Sequence, residues 1–199
     1  MAEGAVLLRG FARPGEVGLL AALRDIESQA HFRRMFTPGG HQMSVAMTNC
    51  GEAGWVTDRG GYRYDGIDPE SGKAWPAMPS VFRELAEGAA REAGFAGFAP
   101  DACLINRYEP GAKMSLHQDR DEKDFSAPIV SVSLGLPAIF LFGGLKRSDK
   151  PQRYRLEHAD VVVWGGPSRL FFHGVAPLTD GEHAALGRKR INLTFRKAR

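Results

Sequence analysis

The chain has 199 residues, 43% apolar and 25% charged, with a formal net charge of +3, which is enough for one globular domain and argues against a disordered chain or a mini-domain held by metal. That small charge does not by itself demand a polyanionic partner; 19 of the 26 basic residues are Arg, which suits bidentate binding of carboxylate and phosphate, although a GC-rich genome gives the same bias. Cys50 and Cys103 form no C-x-x-C pair, no apolar run approaches the ~18 residues of a membrane span, and the first nine residues are expected not to act as a signal peptide, so the expectation is a reduced, cytoplasmic protein without a membrane partner.

In chain order, Ala5–Leu8 reads as a short strand and Pro14–Ala30 as a helix. Val17, Leu20, Leu23 and Glu27 trace the helix turns, and Leu20, Leu23 and Ile26 form an apolar stripe. A second helix is expected from Pro79 to Ala93, with Val81, Phe82, Leu85 and Ala89 on one face and Gly94 at its end. Between them, 36–76 is rich in Gly, Thr, Asn, Tyr and Trp with little helical period, which suggests a working surface on loops and a hairpin. Trp55, Tyr62 and Tyr64 there suit stacking on a nucleobase and hairpin packing equally well.

From Asp101 onward short strands are expected at 102–108, 129–134, 138–142, 154–156, 161–164, 170–173 and 191–196, punctuated by Pro110-Gly111, Gly135, Gly143-Gly144 and Gly165-Gly166-Pro167. Many short strands without intervening helices argue for a two-sheet antiparallel barrel of the jelly-roll type, with the two helices buttressing one sheet. No internal repeat or linker divides the chain.

Three patterns carry chemistry. His117-Gln-Asp119 with a distal His173 supplies two imidazoles and a carboxylate, the ligand set of a non-haem Fe(II) oxygenase. If 117–119 is a strand, alternation turns His117 and Asp119 to one face. Alternation in Arg190-Ile-Asn192-Leu-Thr194-Phe-Arg196 gives one apolar face and one cationic, hydrogen-bonding face suited to an acidic cosubstrate. Asn106 and Tyr108 share a face two residues apart and are read as further ligand contacts. His31, His158 and His183 are read as packed or surface residues. The basic run Lys146–Arg155 is a solvated hairpin tip or a phosphate clamp at the barrel mouth.

These residues stand in segments that resemble the bacterial AlkB family of Fe(II)- and 2-oxoglutarate-dependent nucleic-acid dealkylases. The segments are DACLINRY (101–108), SLHQDRDE (115–122), PIVSVSLGLP (128–137) and DVVVWGG (160–166). Upstream, TPGG (37–40), MSVAMTNCG (43–51) and WPAMP (75–79) extend the resemblance over most of the chain. It implies a mainly β fold with flanking helices: a double-stranded β-helix (jelly-roll) core at about 101–199 and an N-terminal nucleotide-recognition lid at about 36–76, within one domain of 1–199. His117, Asp119 and His173 match the iron ligands. Asn106, Tyr108, Arg190, Asn192 and Arg196 match the 2-oxoglutarate contacts. Trp55 matches the aromatic that stacks on the damaged base, and Tyr62, Tyr64, Asp121 and Arg147 match other substrate contacts. His41, Met114 and Arg120 depart from the usual Tyr, Leu and Lys; Arg120 keeps a phosphate-binding charge, whereas the other two bear on base preference and lid behaviour.

The implied reaction is oxidative dealkylation of N1-methyladenine- or N3-methylcytosine-type lesions in single- or double-stranded DNA, with RNA a second candidate. It uses Fe(II), 2-oxoglutarate and O2, and releases succinate, CO2 and formaldehyde. A monomer is the default. The alternative is a 2-oxoglutarate-dependent hydroxylase of a protein or small molecule, for which the aromatic segment and Arg147 make less sense. A non-catalytic nucleic-acid-binding module would be expected to have lost a ligand or the cosubstrate arginine, and a zinc hydrolase leaves Arg190, Asn192 and Arg196 without a purpose.

Overall fold

The computed structural model describes residues 1–199. Two antiparallel sheets make the body. The larger runs in the order β1 (Ala5–Leu8), β10 (Val161–Trp164), β7 (Ile129–Gly135), β12 (Arg190–Arg196), β5 (Ala102–Tyr108), β2 (Ala46–Gly51). The smaller runs β6 (Met114–His117), β11 (His173–Val175), β8 (Ala138–Phe142), β9 (Gln152–Leu156). A separate two-stranded hairpin, β3 (Gly54–Asp58) and β4 (Gly61–Asp65), completes the set.

Strand alternation divides the protein into two apolar layers. Val130, Val132 and Leu134 of β7 and Ile191, Leu193 and Phe195 of β12 turn outward from the sandwich, onto the helices α1 (Glu16–Gln29) and α2 (Ser80–Glu92). On α1 the buried residues are Leu19, Leu20, Leu23 and Ile26; on α2 they are Phe82, Ala86, Ala89 and Ala90. The expected buttress is therefore present. Val17 is not part of it: it is 83% exposed, because its place in the first turn faces away from the stripe. The opposite faces of β5, β7 and β10 meet the smaller sheet around Leu104, Ile129, Trp164, Phe140 and Phe142. Complete burial of each such side chain contributes roughly 1.5–3 kcal/mol.

Element ends follow local chemistry. Pro14 lies in a 3-10 turn at Arg13–Gly15 that leads into α1, where its missing N–H costs nothing. α2 starts after Pro79, and Gly94 beyond its end takes φ +89°, a left-handed setting that a side chain would oppose. The strand expected at 170–173 begins only at His173. Before it, Pro167 sits in a 3-10 turn and Phe171 N–H bonds the Ser168 carbonyl, so the turn persists past Leu170. β6 likewise stops at His117, and Asp119 lies beyond it in irregular chain.

The β3–β4 hairpin shares no strand pairing with either large sheet. It is tied down by side chains instead. The Asn49 amide of β2 donates to the Trp55 carbonyl at 3.1 Å and its oxygen accepts the Trp55 N–H at 3.0 Å. Trp75 Nε1–H donates to the Asp65 carbonyl. Away from this end, the Gly135 N–H donates to Nδ1 of buried His158, whose ring stacks on His183 with centroids 4.4 Å apart.

Candidate metal centre and cosubstrate pocket

Neighbouring strands bring the proposed ligands together. His173 is the register partner of His117 across β11 and β6, with ring centroids 4.4 Å apart. Asp119 Oδ1 lies 3.6 Å from His117 Nε2, and Oδ2 lies 3.7 Å from His173 Nε2. The three ligand atoms fall within 4.8 Å of one another. Nδ1 of His117 faces the Ser115 carbonyl at 2.8 Å, and Nδ1 of His173 faces the Phe171 carbonyl at 3.0 Å. A carbonyl can only accept, so each Nδ1 carries the proton and each Nε2 keeps its lone pair for a metal. Two neutral imidazoles and one carboxylate fit Fe(II) with open positions.

Electrostatics favour the same states. Burial, followed by the nearby His117, lowers the His173 pKa to about 4, so its imidazole is neutral at physiological pH. Burial pushes Asp119 toward protonation, but the Arg196 guanidinium outweighs it and holds the carboxylate below its usual range. Arg196 donates to Asp119 Oδ2 from Nε at 3.0 Å and from Nη2 at 2.7 Å.

Behind the triad, between the sheets, lies a cavity of about 50 Å³ lined by residues that include Asn106, Tyr108, His173 and Arg190. Arg190 is 1% exposed. Its Nε donates to Ser133 Oγ at 3.0 Å, its Cζ stands 4.9 Å from the Tyr108 ring centroid, and its Nη1 has no partner. Asn106 Oδ1 is equally unpartnered. Orphaned buried polar atoms are costly, and a small dicarboxylate entering this cavity meets the guanidinium. Asn192 lines this cavity too. Its amide nitrogen donates to Ser131 Oγ and the Val132 carbonyl, and its oxygen accepts from Asn106 Nδ2 and Thr194 Oγ1. It therefore orients Asn106 within the same cavity wall.

A larger cavity of about 640 Å³ opens over the metal ligands, lined in part by Met43, Trp55, Tyr62, Met114, Asp121 and Arg147, a size suited to a small organic ligand. Trp55 Nε1–H donates to Asp121 Oδ2 at 2.7 Å, and the Tyr62 ring stacks on Trp55 at 5.6 Å and 18°. Tyr64 does not line this cavity; its hydroxyl donates to Glu122 Oε1 at 2.7 Å. Arg147 is exposed at the rim, 5.8 Å over Phe172. Met114 lines both cavities, whereas His41 is exposed and lines neither.

Two further residues were not visible in the sequence. Glu122 and Arg169 are 6% and 3% exposed and form an ion pair at 3.1 Å behind Asp119. Glu122 sits in the charged run DRDE, which reads as a solvated loop, and Arg169 carries no motif.

The model of the 2OG-Fe(II) oxygenase superfamily matches residues 4–196. The chain belongs to this superfamily. It is 61% identical over 198 residues to the alpha-ketoglutarate-dependent dioxygenase AlkB of Escherichia coli (strain K12), covering 100% of this chain and 92% of that protein. It is 35% identical over 161 residues to the tRNA demethylase abh1 of Schizosaccharomyces pombe, covering 73% of this chain and 52% of that protein. The solved structure of OsALKBH1 superposes with a TM-score of 0.86 at 30% identity, covering 99% of this chain and 98% of that one. The two-sheet body is thus the superfamily's jelly-roll core. The protein is a dioxygenase of this superfamily, using Fe(II), 2-oxoglutarate and O2. No helix is long and apolar enough to cross a membrane.

Proposed function

We infer that the protein removes N-alkyl groups from nucleic-acid bases by oxidation, and that the residues converging on the two cavities carry out this reaction. The supporting observation is the stacking of functions: a metal triad with an unpartnered buried arginine beneath it and an aromatic-walled cavity above. The names of the relatives, a nucleic-acid demethylase among them, point to the same substrate class.

His117, Asp119 and His173 hold Fe(II) through Nε2, a carboxylate oxygen and Nε2. Arg190 pairs with the far carboxylate of 2-oxoglutarate, with Asn106 and Tyr108 alongside. Bound together, iron and 2-oxoglutarate supply the oxidation of an N-alkyl carbon by O2, with succinate and CO2 as coproducts and formaldehyde leaving from a methylated base. The protein's part is placement. Trp55 offers a flat face to the base, and Asp121, held by the indole N–H, puts negative charge beside a ring that methylation at N1 of adenine or N3 of cytosine makes cationic. Met43 and Met114 are apolar walls that exclude water. Arg147, with Lys146 and Lys150 nearby, suits the phosphate backbone.

A methyl group on a Watson–Crick nitrogen is unreachable inside a duplex, so the base must be flipped out or come from a single strand. Single-stranded DNA, in which no pairing is lost, is the expected preferred substrate, with RNA accepted. A working monomer is the expected state, and the free, buried Cys50 and Cys103 are compatible with a reducing cytoplasm.

The test is formaldehyde release from an oligonucleotide carrying N1-methyladenine, with Fe(II), 2-oxoglutarate and O2, against a reaction without iron. Iron-dependent release with recovery of adenine is expected. Decarboxylation of 2-oxoglutarate without release from this or an N3-methylcytosine oligonucleotide would refute the substrate assignment while leaving the oxygenase intact.

A further inference from the structure

Behind the metal ligands, four charged side chains form a buried circuit that reaches the hairpin. Asp119, Glu122, Arg169 and Arg196 are each less than a tenth exposed, and two arginines balance two carboxylates. Arg196 Nε donates its one hydrogen to Asp119 Oδ2 at 3.0 Å, while Glu122 Oε1 stands 3.3 Å from the same nitrogen as an ion-pair partner. That same Glu122 oxygen accepts the hydroxyl of Tyr64, on β4, at 2.7 Å. Its other oxygen accepts from Arg169 Nη2 at 3.1 Å. Arg169 also donates to the main-chain carbonyls of Asp119 at 2.9 Å and Ala127 at 3.0 Å, so the segment bearing both carboxylates is fixed in place.

The sharing of one guanidinium between two carboxylates has a mechanical result. We propose that Glu122 is a positioning residue coupling the β3–β4 hairpin to the metal ligand Asp119, with Tyr64 as the contact that sets it. While the Tyr64 hydroxyl occupies Glu122 Oε1, Arg196 Nε stays on Asp119 and withdraws electron density from the carboxylate. When the hairpin lifts and Tyr64 leaves, Glu122 draws that N–H toward itself, and Asp119 becomes the more strongly donating ligand. Partners of ligating carboxylates tune metal affinity in this way, with typical effects of about 10- to 100-fold. Linkage makes the coupling mutual: metal on Asp119 weakens the hold of the hairpin by the same factor.

The inference rests on the reading of His117, Asp119 and His173 as metal ligands, and the experiment separates the two. The dissociation constant for Co(II), as a spectroscopic probe without 2-oxoglutarate or nucleic acid, is measured for the parent protein and for Tyr64→Phe, Glu122→Gln and His173→Ala. Tyr64→Phe is expected to bind Co(II) about 3- to 10-fold more tightly, and Glu122→Gln about tenfold more weakly. Tryptic cleavage at Arg59 and Arg63 in the hairpin should accelerate with Co(II) in the parent and be indifferent to it in Tyr64→Phe. If His173→Ala abolishes binding but Tyr64→Phe leaves affinity and metal-dependent cleavage as in the parent, the coupling is refuted and the metal site stands. If His173→Ala binds Co(II) like the parent, the metal reading itself fails. Should Glu122→Gln not fold, Tyr64→Phe decides alone.

Discussion

Arg190 combines complete burial with an unpartnered Nη1, a state costly enough that a ligand is the natural complement. Loss of a charge-assisted fork to a carboxylate costs about 1.5–3 kcal/mol, or roughly 10- to 150-fold in affinity. Arg190→Ala is accordingly expected to raise the 2-oxoglutarate concentration for half-maximal decarboxylation by about that factor, and Arg190→Lys to recover little, because an ammonium lacks the fork. For Trp55→Ala, the loss of one base-stacking face, about 1–3 kcal/mol, should raise KM for a methylated oligonucleotide by roughly 5- to 150-fold in steady-state assays. Individual residues differed in how far the sequence revealed them. Arg190 and Arg196 follow directly from alternation, because a strand with apolar residues on one side leaves its charges facing the other. Asn192 shares that face, yet its bonding capacity is spent on Ser131, Val132, Asn106 and Thr194. Whether an amide is spent or free depends on neighbours from distant strands, which spacing along one strand does not encode.

Among the elements, β12 is the one on which both layers depend. Its polar face lines the inner cavity while Ile191, Leu193 and Phe195 enter the helix-side core, and Phe195 meets Phe82 of α2 edge-on with centroids 5.9 Å apart. Removing that ring by Phe195→Ala should cost about 3–5 kcal/mol in urea denaturation, the usual range for a buried phenylalanine. β12, with period 2 and no glycine or proline inside, was legible from sequence, as were both helices. β11 was misplaced because Leu170-Phe-Phe-His looks extended by composition, while the 3-10 turn at Pro167 governs its backbone. Strand alternation does not place Asp119: β6 ends at His117, and Arg196 at its carboxylate and Arg169 at its main-chain carbonyl hold it beside the imidazoles.

For the molecule as a whole, acid should weaken the end remote from the metal. His183 Nδ1 accepts the Ala185 N–H, and burial, with the adjacent His158, holds its pKa below the usual 6.5. The unfolded chain thus takes up a proton near 6.5 that the folded protein still refuses. This contribution is full above that value and lost as pH falls through the lower, folded value. Urea denaturation at about pH 7.5 and about pH 5.5 should show the parent losing stability, and His183→Asn losing less of it. The two-sheet body has a further consequence. Two of the proposed iron ligands lie on strands of the smaller sheet, β6 and β11, whereas the proposed 2-oxoglutarate contacts lie on β5 and β12 of the larger. A complex in which the keto acid is bound to the metal therefore rivets one sheet to the other. Each ligand binds only the closed sandwich, so the rise in melting temperature with Mn(II) and 2-oxoglutarate together should exceed the sum of the separate rises. The lifetime of the folded catalyst would then follow the supply of iron and of a central metabolite, making its abundance a readout of nutrition.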